Sequence, residues 1–230
     1  MKRSNCSASQ QKGVEEKKIR TTPWNTVFYG IMKAPAAHPD AVVCWDDSSI
    51  VIRDKYPKSA VHLLGLLMPL EKSPKDPREL RKSHLPALRA MQAVLKERVD
   101  AEVEARGLTG RRARIRYGFH RAPSMLPMHL HGISQDFDSP ALKVAKHWNS
   151  FTTDFFVPYE TVVDTLEKAA DDDDSARRIE ELFGSAKEAE KTYLKKPLQC
   201  HICHAPQKNM PTLKAHIKAC ESEDKPEAGK

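Results

Sequence analysis

The sequence predicts an α+β fold: an antiparallel sheet packed against one long helix, followed by a small metal-bound module. Three observations predict it. A stretch from about Ser83 to Arg106 carries an apolar stripe at helical spacing. Short alternating segments, several rich in β-branched residues, lie on both sides of it. Three cysteines and three histidines crowd into residues 200–220. The chain has 230 residues, 40% of them hydrophobic, enough for one ordinary domain and an appendage.

Taken in order, residues 1–21 are polar and are expected to be a disordered tail. They carry no apolar run, so no secretory signal is expected there. A main domain is expected over 22–170. In TPWNTVFYGIM (22–32), Trp24, Val27, Phe28 and Ile31 fall at helical spacing. AVVCWDD (41–47) and SIVIRDKYP (49–57) predict two strands with a turn over Asp46 to Ser49, and AVHLLGLLM (60–68) predicts a third, buried one. KSPKDPREL (72–80) predicts a loop. In the long helix Ser83 is the expected cap and Pro86 fits the first turn. Leu88, Met91, Leu95, Val99 and Val103 form its stripe, and Gly107 ends it. RARIRYGFH (112–120) and MHLHGISQDF (128–137) predict two more strands, and ETVVDTLEKAA (160–170) a helix. Residues 171–197 are expected to be a charged linker, its Asp run a solvated loop. A metal module follows over 198–222, and 223–230 is a second tail.

The net charge is +7 and the pI about 9.1, which favours polyanionic partners such as nucleic acid. No segment reaches the roughly 20 apolar residues of a membrane span, so no membrane partner is expected. The cysteines are Cys6, Cys44, Cys200, Cys203 and Cys220. An odd, uneven set argues against a disulfide framework and for a reducing compartment. Cys200-x2-Cys203-x12-His216-x3-Cys220 has the spacing of a compact zinc finger, with structural Zn²⁺ as the expected cofactor. His201 and His204 flank the first pair and are expected not to be ligands. The module is too small to bury a core of its own, so the metal is expected to supply its folding energy. Lys208, Lys214 and Lys218 on its helix suit phosphate contacts.

Side chains two apart on a strand share a face, so His129 and His131 in MHLHG point the same way while Met128 and Leu130 face the core. Two neighbouring imidazoles serve acid–base, nucleophilic or metal chemistry equally well. The surrounding residues narrow the choice. GFHRAPSMLPMHLHGISQDFDSP (118–140) resembles the histidine-triad superfamily. With KHWNSF (146–151), DKYPKSAVHLL (54–64) and the Cys/His module, the chain resembles its aprataxin branch over nearly all of 41–220.

That resemblance implies a histidine-triad fold and a DNA repair hydrolase that removes AMP from 5′-adenylated DNA ends. It implies His129 as the nucleophile that takes AMP covalently and His131 as a donor to the phosphate, with His147 beside the leaving group. It places Lys58 and Ser124 at the phosphate, Asp54 at the ribose hydroxyls, and His62 as a brace for the triad. It also implies an N-terminal helix wedged against a terminal base pair, with Trp24 or Phe28 stacking and Tyr56 behind. Lys146 and Lys214, with Lys55, Arg111, Arg112 and Lys143, are expected on the DNA backbone. The expected partner is double-stranded DNA with an adenylated nick or end, AMP is the product, and the protein acts as a monomer in the nucleus or also the cytoplasm. Two departures stand out: Pro127 replaces the first triad histidine, and Gly132 replaces a branched apolar residue. A hydrolase of small adenylylated nucleotides, or a catalytically weak nucleic-acid-binding protein, are the alternatives.

Overall fold

The structure, a computed structural model, describes residues 24–220; the tails expected over 1–21 and 223–230 lie outside the described residues. The predicted first helix is a 3-10 turn, Trp24–Thr26, running into α1, Val27–Lys33. β1 (Val42–Trp45) and β2 (Ser49–Arg53) form a hairpin. Its turn is closed by the Asp46 carboxylate, which accepts from the Ser48 and Ser49 amides at 2.7 and 2.9 Å. β2 stops at Arg53, and Asp54 to Ala60 make a turn before β3 (His62–Leu67). After the long helix come β4 (Ile115–His120), β5 (Leu130–Ser134) and β6 (Phe156–Pro158). Among the described residues these strands make one antiparallel sheet in the order β1-β2-β3-β5-β4-β6.

The long helix α2 is Leu85–Ala105. Ser83 does not cap it. A 3-10 turn, Lys82–His84, precedes the helix, His84 holds the cap position, and the Ser83 amide donates to Asp172 at 2.8 Å. Leu88, Met91, Leu95 and Val99 are fully buried against one face of the sheet, with Met128 and Leu130. Gly107, at φ +59°, takes the left-handed conformation that ends a helix, and the Leu108 amide returns to the Val103 carbonyl at 3.1 Å.

The Asp run is not a solvated loop, and 171–197 is not a plain linker. Asp171 caps α5 (Asp172–Phe183) by accepting from the Asp174 amide at 2.9 Å. Its acids fill the first turn, where the helix dipole favours negative charge. Ile179 and Phe183 reach the core shared with α2, together with Val162 and Leu166 of α4 (Tyr159–Glu167). α6 (Ala186–Tyr193) follows, capped by Ser185. High charge hid an amphipathic stripe that the long hydrophilic face outnumbers.

α3 (Ala145–Thr152) holds KHWNSF. Its Trp148 indole donates to the Gln199 carbonyl at 2.9 Å, and the Asn149 amide donates to the carbonyls of Leu194 and Lys196 at 3.1 and 2.8 Å. These bonds dock the C-terminal module, whose helix is α7 (Met210–Ala219). Leu198, Cys200, Met210 and Leu213 share a core with Ile133, Phe137, Leu142 and Trp148. The module is thus built onto the sheet rather than hung from a linker.

Candidate functional site

The face of the sheet away from α2 carries the histidines. His62 on β3 pairs in register with Ile133, and His131 on β5 pairs with Leu64 and with Gly118 of β4. His120 lies two residues beyond Gly118 and so shares that face. Sequence reasoning missed His120. The signal was present: Phe119 is fully buried on the other face, so strand alternation turns His120 toward the triad. Its ring lies 4.4 Å from that of His131, between centroids. Phe151 of α3 stacks on His62, His120 and His131 at 4.7 to 5.3 Å.

The hydrogen bonds fix which nitrogens carry protons. The Lys58 amide donates to His62 Nδ1 at 3.2 Å, so that nitrogen is an acceptor. Burial pushes His62 down to about 4, so the ring is neutral near pH 7 and carries its proton on Nε2. His62 Nε2 then donates to His131 Nδ1 at 3.0 Å. Burial, with the neighbouring rings His120 and His129, also pushes His131 well down, which leaves its proton on Nε2. That N–H is buried and has no partner among the described residues. His120 Nε2 is likewise buried without one.

His129 has the opposite polarity. Its Nδ1 lies 3.0 Å from the Pro127 carbonyl, which can only accept, so Nδ1 carries the proton. Burial lowers its proton affinity against the pull of that carbonyl and of Asp54. Nε2 is therefore a lone pair. The His129 and His131 rings lie 4.8 Å apart at 68°, one ring carrying a bare nitrogen and the other an N–H without a partner among the described residues. The His129 side chain is 6% exposed, with the Phe28 ring edge-on to it at 5.2 Å.

The remaining candidates divide. Asp54 reaches within 3.6 Å of His62 Nδ1 and accepts from the Tyr56 amide at 2.7 Å. Burial alone would raise its carboxyl, but His62, that amide, Lys58 and His129 outweigh it and hold it down. Lys58 is half-buried, its ammonium donates to the Tyr56 carbonyl, and burial lowers its pKa. His147 accepts from the Lys143 amide at 3.4 Å; burial and the charge of Lys58 lower its pKa, placing it on the same side as the lysine. Ser124 is exposed on the β4–β5 loop and has no hydrogen-bond partner among the described residues. Tyr56 is 63% exposed, with the Lys55 ammonium 5.8 Å from its ring centroid. Phe28 sits on His129; the Trp24 side chain lies outside the described residues, as does that of Arg111. Lys55, Arg112, Lys143 and Lys146 are exposed.

Lys214 is not a free phosphate ligand. Its ammonium donates to the Ser139 carbonyl at 2.7 Å, and burial lowers its pKa against the charge of Asp138. Lys218 is exposed, 3.8 Å from Asp138.

Two histidine-containing clusters bring ligand atoms within 4.8 Å of one another. In Asp54, His62 and His131 both nitrogens of His62 are already committed to hydrogen bonds, so this group is a relay and not a metal site. Cys200, Cys203, His216 and Cys220 do fit an ion. Tetrahedral Zn²⁺ with Zn–S near 2.3 Å separates two sulfurs by about 3.8 Å. The Cys200 and Cys220 sulfurs lie 3.9 Å apart, and Cys203 Sγ lies 3.1 Å from His216 Nε2. As expected, His201 and His204 are not in the group; His201 donates from Nε2 to the Gln135 carbonyl at 3.1 Å.

The replacement of Gly132 has a packing reason. A Cβ there would meet Val99 Cγ2 at 2.9 Å and Tyr117 Cε1 at 3.0 Å, so these side chains occupy the space a branched residue would fill.

An antiparallel sheet presenting these histidines, with a zinc finger packed beside it, defines a histidine-triad protein. The family profile described as "Scavenger mRNA decapping enzyme C-term binding" matches residues 25–147, and that of the "C2HE / C2H2 / C2HC zinc-binding finger" matches 152–223. The chain belongs to that first family, and the relatives it is similar to are aprataxins. It is 41% identical to Aprataxin of Danio rerio over 187 residues, 81% of this chain and 52% of that protein. It spans about half the length of the curated relatives it matches. The crystal structure of the aprataxin ortholog Hnt3 from Schizosaccharomyces pombe superposes with a TM-score of 0.63 at 25% identity, covering 82% of this chain and 88% of that one. A second Hnt3 structure, in complex with DNA, has the same fold at a TM-score of 0.66 and 24% identity, covering 86% and 94%.

Proposed function

We propose that the protein hydrolyses adenylated DNA 5′ ends, releasing AMP and restoring a 5′ phosphate. The observation that carries this reading is the tautomer pair: a proton-free His129 Nε2 beside the unpartnered His131 N–H. His129 Nε2 attacks the AMP phosphorus. A P–N bond forms, the P–O bond to the DNA phosphate breaks, and its electron pair leaves on that phosphate. Water then attacks the same phosphorus, the pair of the P–N bond returns to His129, and AMP departs. His131 and Lys58 stabilise the charge that develops on the phosphoryl oxygens. In this reading His147 serves the departing phosphate, and Asp54 holds a ribose hydroxyl. Ser124 is the further candidate at the phosphate.

DNA as the polymer is supported by the net charge of +7, the exposed Lys55, Lys143 and Lys146, and the likeness to the aprataxins. Trp24 and Phe28 remain the proposed contacts to the terminal base pair, and the protein is proposed to act as a monomer, chiefly in the nucleus. The zinc finger's role is structural, and no step passes through its metal.

The test is AMP release from a 5′-adenylated nicked duplex. His129→Ala is expected to lose at least about a thousandfold in kcat, and the wild type to yield an acid-labile AMP adduct. Release by His129→Ala at the wild-type rate would sink the assignment. A comparison with small adenylylated nucleotides separates a DNA enzyme from a general one.

A further inference from the structure

We propose that the zinc module positions the phosphate-binding turn, with Lys214 and His201 acting as its struts. The turn from Pro57 to Val61 carries Lys58, and every other residue in it is bonded to the Ser134–Ser139 segment. The Pro57 carbonyl accepts from the Ser139 hydroxyl. Ser59 Oγ donates to the Ser134 carbonyl at 2.6 Å and accepts from the Phe137 amide at 3.1 Å. The Ala60 amide donates to Asp136 Oδ2 at 3.1 Å, and the Val61 amide to Ser134 Oγ at 3.0 Å. Asp136 itself is fixed by the Ser134 hydroxyl and by the Asp138 amide.

That second segment is held in turn from the far side. Lys214 of α7 donates to the Ser139 carbonyl at 2.7 Å, and His201, next to the ligand Cys200, donates to the Gln135 carbonyl at 3.1 Å. His201 also meets Phe137 and Trp148 ring to edge, at 5.0 and 5.2 Å. The two struts grip opposite ends of the 135–139 turn. The path therefore runs from metal module to turn 134–139, to turn 57–61, and to the Lys58 amide that sets the tautomer of His62. Lys214 and His201 touch no reacting atom; they are positioning residues.

The inference rests on the adenylate reading for its kinetic arm only. Lys214→Met keeps the length of the side chain and removes the donor; Lys214→Arg restores a donor. Amide hydrogen exchange is followed in the full-length protein at Lys58, Ala60 and Val61, with Leu64 and Leu66 of β3 as internal controls. Exchange at the turn is expected to rise roughly tenfold in Lys214→Met and in His201→Phe, as for loss of one charge-assisted bond, with β3 unchanged and Lys214→Arg near wild type. Chelation of zinc should loosen the same amides further. In the kinetic arm, a small adenylylated nucleotide that cannot contact distant DNA sites is the substrate. Lys214→Met is expected to lower kcat severalfold with little change in KM. Unchanged exchange at the turn overturns the inference. So does a defect confined to DNA affinity, which would make Lys214 a backbone contact. If the wild type releases no AMP at all, the adenylate reading fails while the exchange arm still decides the strut.

Discussion

His129 keeps its Nδ1 proton because the partner of that nitrogen is the Pro127 carbonyl, which can only accept. His62 keeps Nδ1 bare because an amide points at it. Neither outcome needs a charge, and both rings stay neutral because burial makes an imidazolium costly. A stability consequence follows. With a folded pKa depressed below 6.5, the unfolded chain binds protons that the folded one refuses as pH falls. Stability is full above about 6.5, declines below it, and for His62 levels off near 4. His62 alone accounts for about 3 kcal/mol of loss at most, and His120, His129 and His131 add losses of the same sign. Urea midpoints are expected to fall steadily from pH 7 to pH 5. A flat profile would mean these rings are solvated.

At the scale of the element, the sheet brings the site together by register. Gly118 stands opposite His131 on one side and Pro158 on the other. A Cβ there would meet the Val157 carbonyl at 2.5 Å and the Phe156 ring at 2.6 Å, and the backbone oxygen cannot turn aside. Gly118→Ala is expected to cost about 1–3 kcal/mol in chemical denaturation. Gly30→Ala in α1, where nothing lies within 4 Å, is expected to gain roughly 0.5–1 kcal/mol. Equal effects at the two glycines would show that close packing at Gly118 is not the cause.

Five of the six strands among the described residues and the long helix were legible because their apolar residues repeat with the period of the element: Leu88, Met91, Leu95 and Val99 announce a helix without help, whereas β6, three residues long, is too short to show a period. The His129–His131 pair was legible for the same reason. His120 was not, because one histidine after Phe119 has meaning only once β4 is laid beside β5. The bond from Lys214 to the Ser139 carbonyl was hidden for a related reason. A lysine on a finger helix looks free until the carbonyl it meets, 75 residues away, is known. The Cys/His spacing needed no such knowledge, since all four ligands come from one short stretch.

On the scale of the whole molecule, the charged segment after α4 belongs to the main body. Phe183 and Ile179 lie in the same core as Leu88 and Phe119. Arg78 and Arg121 tie that segment down by donating to the Gly184 and Leu182 carbonyls. Phe183→Ala is expected to cost about 3–5 kcal/mol and to lower the melting temperature of the entire chain as one transition. A separate early transition would mark α5 and α6 as an independent unit. On the opposite flank α3 joins the two halves: Trp148 holds the finger at Gln199, Asn149 holds the segment leading into it, and Phe151 covers the histidines. This double duty is the physical content of the KHWNSF signature, which the sequence displayed without its reason.

The bond from the Lys58 amide to His62 has one more consequence. A peptide N–H is no acid at any physiological pH, so it can point a proton chain but never feed it. The string from His62 to His131 is therefore one-directional: it can aim its terminal hydrogen outward, yet has nothing behind it to replace that hydrogen once given. In the proposed reaction, any proton that the departing strand collects would come from a group other than these interior imidazoles, His147 among them, and the imidazoles would end each cycle in the form in which they began.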